Sequence, residues 1–323
     1  MTQQAYIAGI NYYLPPKVET NEFLVKEMRL SWTADYIYDK TGIMERHVTT
    51  EECASDLGYE AALRLFAKYE GLKDKIDYII FCSQSADYVL PTTACVLQHR
   101  LGISRNCGAI DVNQGCSGFI YSLSLAKGLI AGNIASNILI ITAETYTKYI
   151  EPNDKSTRTI FGDGAAATWL SATDGNEKIS SFVLGTDGRG MNNLIVPNSG
   201  SRKDDEKSSW LFMDGPEIFQ FTLLTIPKIV KKLIQENNLS IEDIDYFIFH
   251  QANAFILEHL RNKLNLDKDK FCMDMKNIGN TVSASIPIAL CRAMNNGVVK
   301  QKMKVMLIGF GVGYSWGSCI VEI

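Results

Sequence analysis

The sequence predicts an α/β protein in which the same arrangement of strands and helices occurs twice. Short apolar runs rich in β-branched and aromatic residues alternate with longer helix-like stretches, the pattern of sheets covered by helices. Two distant stretches, IDYIIFCSQS at residues 76–85 and IDYFIFHQAN at residues 244–253, are nearly the same. With 323 residues, the chain has room for one or two domains with a large core.

The individual elements follow from short local patterns. Buried strands are predicted at YIIFCS, NILIITA, YFIFH and KVMLIGF, because each is a short, continuous apolar run. Helices are predicted at ASDLGYEAALRLFAKYE, at GPEIFQFTLLTIPKIVKKLIQENN, and from about Ser117 to Ala131. The last of these is almost wholly apolar and should be buried on all sides. The polar segment PNSGSRKDDEKSSW predicts a solvated loop or hairpin.

The repeat extends beyond one string. EGLKDKIDYIIFCSQ matches NLSIEDIDYFIFHQA, GAIDVNQGCSGF loosely matches FCMDMKNIGNTV, and NILIITAET matches KVMLIGFGV, all in the same order. A repeat with so long a period indicates a duplicated domain. WLSATDGNEK resembles a strand end and a turn, so the predicted halves are residues 1–172 and 173–323. The alternative is that IDY before an apolar run is a common start for a strand.

Composition narrows the classes of partner and cofactor. A formal net charge of -4 offers no basic field for nucleic acid or an anionic membrane. The eight cysteines include no pair at CxxC spacing, so we expect no metal site and a reducing cytoplasm. MTQQAYIAGI lacks the character of a signal peptide, and no run approaches the roughly 20 apolar residues of a membrane span. We therefore expect a soluble cytoplasmic protein with neither nucleic acid nor membrane as a partner.

Cys116 is the strongest nucleophile candidate among the cysteines. It stands at the start of the long apolar helix, where free N–H groups and the helix dipole favour a thiolate and lower a cysteine pKa. Gly115 and Gly118 flank it and would let a substrate approach the backbone closely. A small buried packing residue is the alternative, and these features alone leave both open. Cys82, Cys95 and Cys291 lie in plain strand or helix patterns and are predicted to be packing residues.

His250 and Asn280 are predicted to meet Cys116. If the halves are duplicates, loops after equivalent strands converge, and the strand-end His250 of the second half faces the helix-start cysteine of the first. Asn280 follows Gly279 in another strand-to-helix turn. A thiol, an imidazole and an amide suit acyl transfer, with attack by sulfur and hydrogen bonds to a developing oxyanion. The other three histidines have no such setting and are predicted to be surface or helix-face residues: His47, His99 and His259.

Several motifs together resemble one enzyme family. DVNQGCSGF, IFGDGAAA, HQAN, GNTVSASIP and GFGVGYSWGS, with TGIMERH before them, are similar in content and order to the β-ketoacyl-[acyl-carrier-protein] synthase III family. The resemblance covers essentially the whole chain. It implies the thiolase-like fold, a five-layered αβαβα arrangement of two duplicated halves, usually assembled as a homodimer.

The resemblance also implies a mechanism. Cys116 would take an acyl group from acyl-CoA, with the backbone N–H groups of Cys116 and Val312 as the oxyanion hole. His250 and Asn280 would stabilise the enolate formed when a malonyl thioester, on acyl carrier protein or a dedicated carrier, loses CO2. Acyl-CoA is a substrate, and no cofactor is implied. GFGVGYSWG leads into another strand, which argues against a dinucleotide site. Acyl transfer from Cys116 to an amine or hydroxyl without decarboxylation, and a non-catalytic protein that kept the fold, stay open.

Substrate positions carried over from the family depart from its usual residues. The resemblance implies substrate or CoA contacts at Tyr36, Lys40, Lys155, Asn253 and Leu90. The first three replace a tryptophan and two arginines, so stacking and positive charge remain while the planar guanidinium is lost. Leu90 matches a bulky residue that reaches into the partner's acyl pocket.

The residues at the carrier docking surface and at the oxyanion turn also differ from the usual residues of the family. The family's docking cations are replaced by Phe255 and Gln220, while Lys263 is kept beside Arg261. Because carrier proteins are acidic, this predicts either a dedicated carrier or a different acceptor. Val312 replaces a usual glycine, which narrows the conformations open to that turn.

Overall fold

A computed structural model describes residues 3–173, 175, 178–204 and 206–323. The strands are β1 (Gln4–Tyr13), β2 (Val18–Thr20), β3 (Glu45–His47), β4 (Tyr78–Cys82), β5 (Gly108–Val112), β6 (Asn137–Glu144), β7 (Gly164–Thr173), β8 (Val183–Thr186), β9 (Leu194–Ile195), β10 (Phe212–Met213), β11 (Tyr246–Phe249), β12 (Lys304–Gly311) and β13 (Ser315–Glu322). The α-helices are α1 (Asn21–Glu27), α2 (Ala34–Thr41), α3 (Ala54–Lys68), α4 (Leu72–Lys75), α5 (Thr93–Arg100), α6 (Gly118–Ala131), α7 (Lys155–Arg158), α8 (Gly215–Glu236), α9 (Ala254–Lys263) and α10 (Ser285–Asn295).

Two sheets repeat one strand arrangement. The first has the order β1-β7-β6-β4-β5 and the second, read from its matching edge, β8-β13-β12-β11. β4 and β11, which carry the repeated IDY string, are parallel to β6 and β12 respectively. In each sheet the next two pairings are antiparallel, β6 with β7 and β7 with β1, or β12 with β13 and β13 with β8. In place of a second β5, Phe271 forms a parallel bridge to Phe247.

The repeat holds at the level of register. Tyr78 lies opposite Ile138, and Tyr246 lies opposite Val305, which are matching positions in the repeated sequences. The aspartate of each IDY string accepts a hydrogen bond from the start of the neighbouring strand: Asp77 from the N–H of Asn137 at 3.0 Å, and Asp245 from that of Lys304 at 2.8 Å. If IDY were only a common start for a strand, the two sheets would not be expected to share this register. The predicted division near residue 172 falls at the end of β7, after which β8 belongs to the second sheet.

The two sheets and their helices form five layers. α3 and α5 cover the outer face of the first sheet, and α8 and α9 pack together over the outer face of the second. α6 and α10 lie between the sheets. α6 contacts β1, β4 and β6 on one side and β12 and β13 on the other, which explains most of its apolar sequence. The prediction that it is buried on all sides is wrong at Leu125, which is 43% exposed. The αβαβα prediction is confirmed.

The polar segment predicted to be a loop or hairpin connects β9 to β10, which pair antiparallel. Its bridge between Ser199 and Arg202 closes a turn at Gly200, where φ is +58°. Asp205 lies outside the described residues. In the described ranges, every helix is too short or too polar to span a lipid bilayer.

Candidate active site

Cys116 lies in the turn between β5 and α6, beneath the C-terminal end of β12. Its side chain is buried, with 5% of the residue exposed. Two glycines of β12 make the close approach possible: a Cβ atom at Gly311 would lie 2.8 Å from the Cys116 Sγ, and one at Gly309 would lie 2.7 Å from the Cys116 carbonyl oxygen. Larger residues at these two positions would displace the thiol or its backbone.

His250 and Asn280 converge with Cys116 on one cavity of about 470 Å³, as the repeat predicted. The two side chains come from different loops of the second half. The His250 backbone N–H donates to the Ile308 carbonyl at 2.8 Å, which continues the β11–β12 ladder past the last strand residue. The Asn280 Oδ1 accepts from the Val282 N–H at 2.9 Å. This bond orients the amide and leaves its nitrogen as the donor end.

The imidazole of His250 is held by Ser285, the first residue of α10. Its Nδ1 lies 2.7 Å from the Ser285 Oγ, and that oxygen also accepts a long 3.4 Å bond from the Gln251 N–H. We assign the ring proton to Nε2, so that Nδ1 accepts from the Ser285 hydroxyl. Burial lowers the pKa of His250 to about 3, so the ring is neutral at pH 7. Nε2–H is thus a neutral donor.

The predicted low pKa of Cys116 is wrong for this structure. Burial, and next the charge of Glu144, raise the pKa of the Cys116 thiol to about 12. Hydrogen bonds to the sulfur from the backbone N–H groups of Val312 and of Cys116 itself act in the opposite direction. α6 begins at Gly118, so Cys116 precedes the first helical turn, and desolvation outweighs the helix dipole. The thiol is protonated at neutral pH.

The two backbone donors predicted for an oxyanion hole are both next to the nucleophile candidate. The N–H groups of Val312 and Cys116 both act to lower the pKa of the Cys116 thiol. The substitution of valine for glycine at residue 312 is accommodated because the positive φ of this turn, +132°, belongs to Gly313.

A second cavity, of about 320 Å³, brings together four predicted substrate positions. Tyr36, Lys40, Lys155 and Asn253 line it. The Nζ of Lys40 lies 5.6 Å from the centroid of the Tyr36 ring, within cation–π range. Asn253 also lines the cavity of Cys116, and its Oδ1 caps α9 by accepting from the Ile256 N–H at 2.9 Å. The two cavities therefore adjoin at Asn253.

Trp32 belongs to this second cavity and was missed in the sequence. The Lys155 Nζ lies 4.6 Å from the Trp32 ring centroid, and the Trp32 and Tyr36 rings are 5.3 Å apart. The only available signal was an aromatic residue four positions before Tyr36, just ahead of α2. Two aromatic rings and two lysines thus surround this space.

Leu90 is not brought to Cys116 within one chain. It is 79% exposed, beside Val89 at 93%, on an apolar surface segment that begins at Tyr88. Tyr88 and Val89 border a third cavity, of about 620 Å³, whose lining also includes Val312. The segment therefore lies at the edge of a space that leads to the oxyanion turn.

The mouth of the Cys116 cavity is aromatic where the family pattern has cations. Phe255 and Phe219 line it with ring centroids 5.1 Å apart, and His259 lies 4.3 Å from Phe255. Gln220 is exposed on α8. This surface offers apolar contact and little positive charge.

The structure also tests the predicted burial of three other cysteines and the positions of the other three histidines. Cys82 and Cys291 are buried, as predicted for packing residues, whereas Cys95 is exposed near the start of α5, which contradicts that prediction. His99 and His259 are exposed on helices, and His47 is half-buried. Within the ranges that the structure describes, no group of three His, Cys, Asp or Glu side chains could hold a metal ion.

Comparisons with known proteins agree with this geometry. Residues 110–188 match the family described as 3-oxoacyl-[acyl-carrier-protein (ACP)] synthase III, and residues 234–323 match its C-terminal family. A β-ketoacyl-[acyl-carrier-protein] synthase III of Clostridium tetani is 36% identical over 99% of this chain and 98% of its own.

Solved structures give the same result. A crystal structure of a 3-oxoacyl-(acyl-carrier-protein) synthase III is 45% identical, with a TM-score of 0.94 over 99% of this chain and 100% of that one. A 3-oxoacyl-(acyl-carrier protein) synthase from Burkholderia xenovorans is 37% identical, with a TM-score of 0.94 over 100% and 95% of the two chains. The fold is thiolase-like, and the chain belongs to the β-ketoacyl-[acyl-carrier-protein] synthase III family.

Proposed function

We propose that the protein is a condensing enzyme that joins an acyl-CoA to a malonyl thioester and yields a 3-oxoacyl thioester, CoA and CO2. The observation that carries this proposal is the convergence of Cys116 with His250 and Asn280 in one largely apolar cavity. A nucleophile alone serves acyl transfer of any kind. Two neutral donors in the same cavity serve a step in which negative charge develops on a substrate oxygen.

In the first step, Cys116 becomes acylated. Its sulfur attacks the acyl-CoA carbonyl, the bond from carbon to the CoA sulfur breaks, and the proton lost by Cys116 balances the one gained by the leaving CoA. The backbone N–H groups of Cys116 and Val312 donate to the oxyanion of the tetrahedral intermediate. The aromatic rings and lysines around the second cavity suit the adenine and phosphates of CoA.

In the second step, the malonyl thioester loses CO2, and the electron pair of the broken bond forms an enolate. The Nε2–H of His250 and the amide nitrogen of Asn280 donate to the enolate oxygen, and the carbanion attacks the acyl carbonyl on Cys116. The thiolate of Cys116 then leaves and takes up a proton. Because both donors are buried, their hydrogen bonds to the developing charge are stronger than in water.

Acyl transfer to an amine or hydroxyl is the weaker proposal. It would need Cys116 and the oxyanion hole but makes no use of the two further donors, His250 and Asn280, in the cavity. The curated relatives bear the name of the condensing enzyme, which supports decarboxylation as the function of this chain.

Assembly and carrier remain part of the proposal. An exposed apolar segment at Tyr88–Leu90, beside a cavity that leads to Val312, supports a homodimer in which a second copy closes that cavity. The aromatic mouth at Phe255 supports a dedicated carrier whose contact surface is less acidic than that of a general acyl carrier protein. We also propose that acyl-CoA is the acyl donor and that the protein is cytoplasmic.

Release of 14C-labelled CO2 from carboxyl-labelled malonyl thioester tests the proposed function. Wild type that has been acylated with acyl-CoA should release CO2 in equal amount to the 3-oxoacyl product. An acylated enzyme that releases no CO2 and instead forms an amide or ester with added amines or alcohols would establish the alternative.

A further inference from the structure

Glu144, the last residue of β6, is a fully buried carboxylate that the proposed mechanism does not use. Four donors from two parts of the chain surround it. Its oxygens accept from the hydroxyls of Ser283 at 2.6 Å, Ser85 at 2.8 Å and Ser83 at 3.4 Å. The backbone N–H of Gln84 lies 3.2 Å from the nearer oxygen. A carboxylate with this many donors is held in one orientation.

The bond to Ser283 connects Glu144 to the turn that carries Asn280. Ser283 belongs to the second half, and Glu144, Ser83 and Ser85 belong to the first, so the contact joins the halves. Val282 lies directly before Ser283 and supplies the N–H that orients the Asn280 amide. Its φ is +52°, which is strained for a β-branched residue and persists only where surrounding contacts hold it. The 2.6 Å bond from Ser283 is one such contact.

Glu144 also lies close to Cys116. Gln84, whose backbone N–H donates to Glu144, has its side chain against Gly115, the residue before Cys116: a Cβ on Gly115 would lie 2.4 Å from the Gln84 Oε1. After burial, the charge of Glu144 is the next cause of the raised pKa of the Cys116 thiol. The other titratable groups around it are Cys82 on β4 and, just after β6, Tyr146 and Tyr149; the pKa of each is raised as well, so all are neutral near pH 7. Burial raises the pKa of Glu144 itself to about 7, despite the donors that stabilise its charge. Of these groups, Glu144 is the one that changes charge in the neutral range.

We propose that Glu144 is a positioning residue of this site: it holds the Asn280–Ser283 turn and, when ionised, opposes thiolate formation at Cys116. The inference rests on the proposed role of Cys116 as nucleophile. The carboxylate of Glu144 then has two opposing effects on the reaction. The charge slows attack by the thiol above neutral pH, while the hydrogen bonds keep the donor of the second step in place.

The electrostatic part is tested by alkylation, which needs no condensing activity. The rate of Cys116 modification by iodoacetamide is measured from pH 5.5 to 9 by peptide mass spectrometry, in wild type and Glu144→Gln. Above pH 7 the variant should react roughly tenfold faster, because removing a nearby like charge lowers a pKa by about one unit. Below pH 6 the two rates should converge, because Glu144 is then protonated in wild type. Glu144→Asp should follow wild type, and the charge-matched Glu236→Gln on the outer helix α8 should change nothing.

The electrostatic role would be overturned if wild type and Glu144→Gln were alkylated at equal rates at every pH. It would also be overturned if the ratio of their rates stayed the same below pH 6. The positioning part is tested by Ser283→Ala at pH 9, where Glu144 stays ionised although the variant loses a hydrogen bond that lowers its pKa. It should leave acylation by acyl-CoA unchanged and slow decarboxylation about tenfold, less than the roughly 10²–10³-fold loss expected for removal of an oxyanion donor itself. Unchanged decarboxylation would overturn that part. If wild type itself releases no CO2, the proposed function fails while the alkylation result stands independently.

Discussion

The Nδ1 of His250 lies 2.7 Å from the Oγ of Ser285, and this contact orients the imidazole ring in the cavity of Cys116. His250 comes from the end of β11 and Ser285 from the start of α10, so two elements of the second half are joined at the reacting group. His250 is therefore oriented by a residue that does not line the cavity itself.

Ser285→Ala should impair the second step alone. Without the hydroxyl, the imidazole can place its proton on Nδ1, and the donor to the enolate is lost in that tautomer. We expect decarboxylation to fall by roughly 10- to 100-fold, less than for loss of the donor itself, with acylation of Cys116 near wild type. Separate measurement of acyl-enzyme by intact mass and of CO2 release checks this; an equal fall in both steps would contradict the assignment.

Gly311→Ala should damage the nucleophile position. The new Cβ would lie 2.8 Å from the Cys116 Sγ and must displace it. We expect a loss of about 1–3 kcal/mol in stability, as for other overpacked sites, and an acylation rate lowered at least tenfold. Gly128→Ala in α6, where a Cβ meets nothing within 4 Å, is the matched control and should be neutral or stabilising. Thermal melts and acylation kinetics check both variants; wild-type acylation in Gly311→Ala would contradict the geometry.

Trp32→Ala should weaken recognition of the nucleotide end of CoA. The indole lines the second cavity under the Lys155 ammonium, so its removal takes away a stacking surface and a cation–π contact. We expect the KM for acyl-CoA to rise about fivefold, while the KM for the same acyl group on pantetheine stays unchanged. Trp210→Ala, in the polar hairpin, is the control. An equal rise in KM for acyl-CoA and for acyl-pantetheine would show that the second cavity does not bind the nucleotide.

Phe255→Arg should strengthen the binding of an acidic carrier protein. It places a cation at the cavity mouth, where the family pattern has one, and should raise kcat/KM for malonyl-acyl carrier protein several-fold at low salt. The gain should shrink as ionic strength rises. Leu224→Arg, exposed elsewhere on α8, controls for net charge. A lower kcat/KM for the Phe255 variant at every salt concentration would indicate that the aromatic surface itself docks the carrier.

Local and repeated patterns predicted most of the architecture and the central residues. The IDY repeat predicted equivalent strands, and the equivalence of the loops after them predicted that His250 and Cys116 meet. The acidity of Cys116 could not be predicted, because it depends on burial and on Glu144, which is distant in sequence. The same holds for Ser285 and Trp32, whose contacts form only when separate elements pack. Leu90 is exposed in one chain, so its predicted role depends on a second copy.

The most direct test of the central claim follows one protein molecule through both steps by intact mass spectrometry. Wild type incubated with a panel of acyl-CoAs should gain the mass of one acyl group, and Cys116→Ala should gain none. Addition of malonyl thioester should then remove the adduct from wild type as the 3-oxoacyl thioester appears. An adduct on Cys116→Ala, or a wild-type adduct that malonyl thioester leaves in place, would contradict the account.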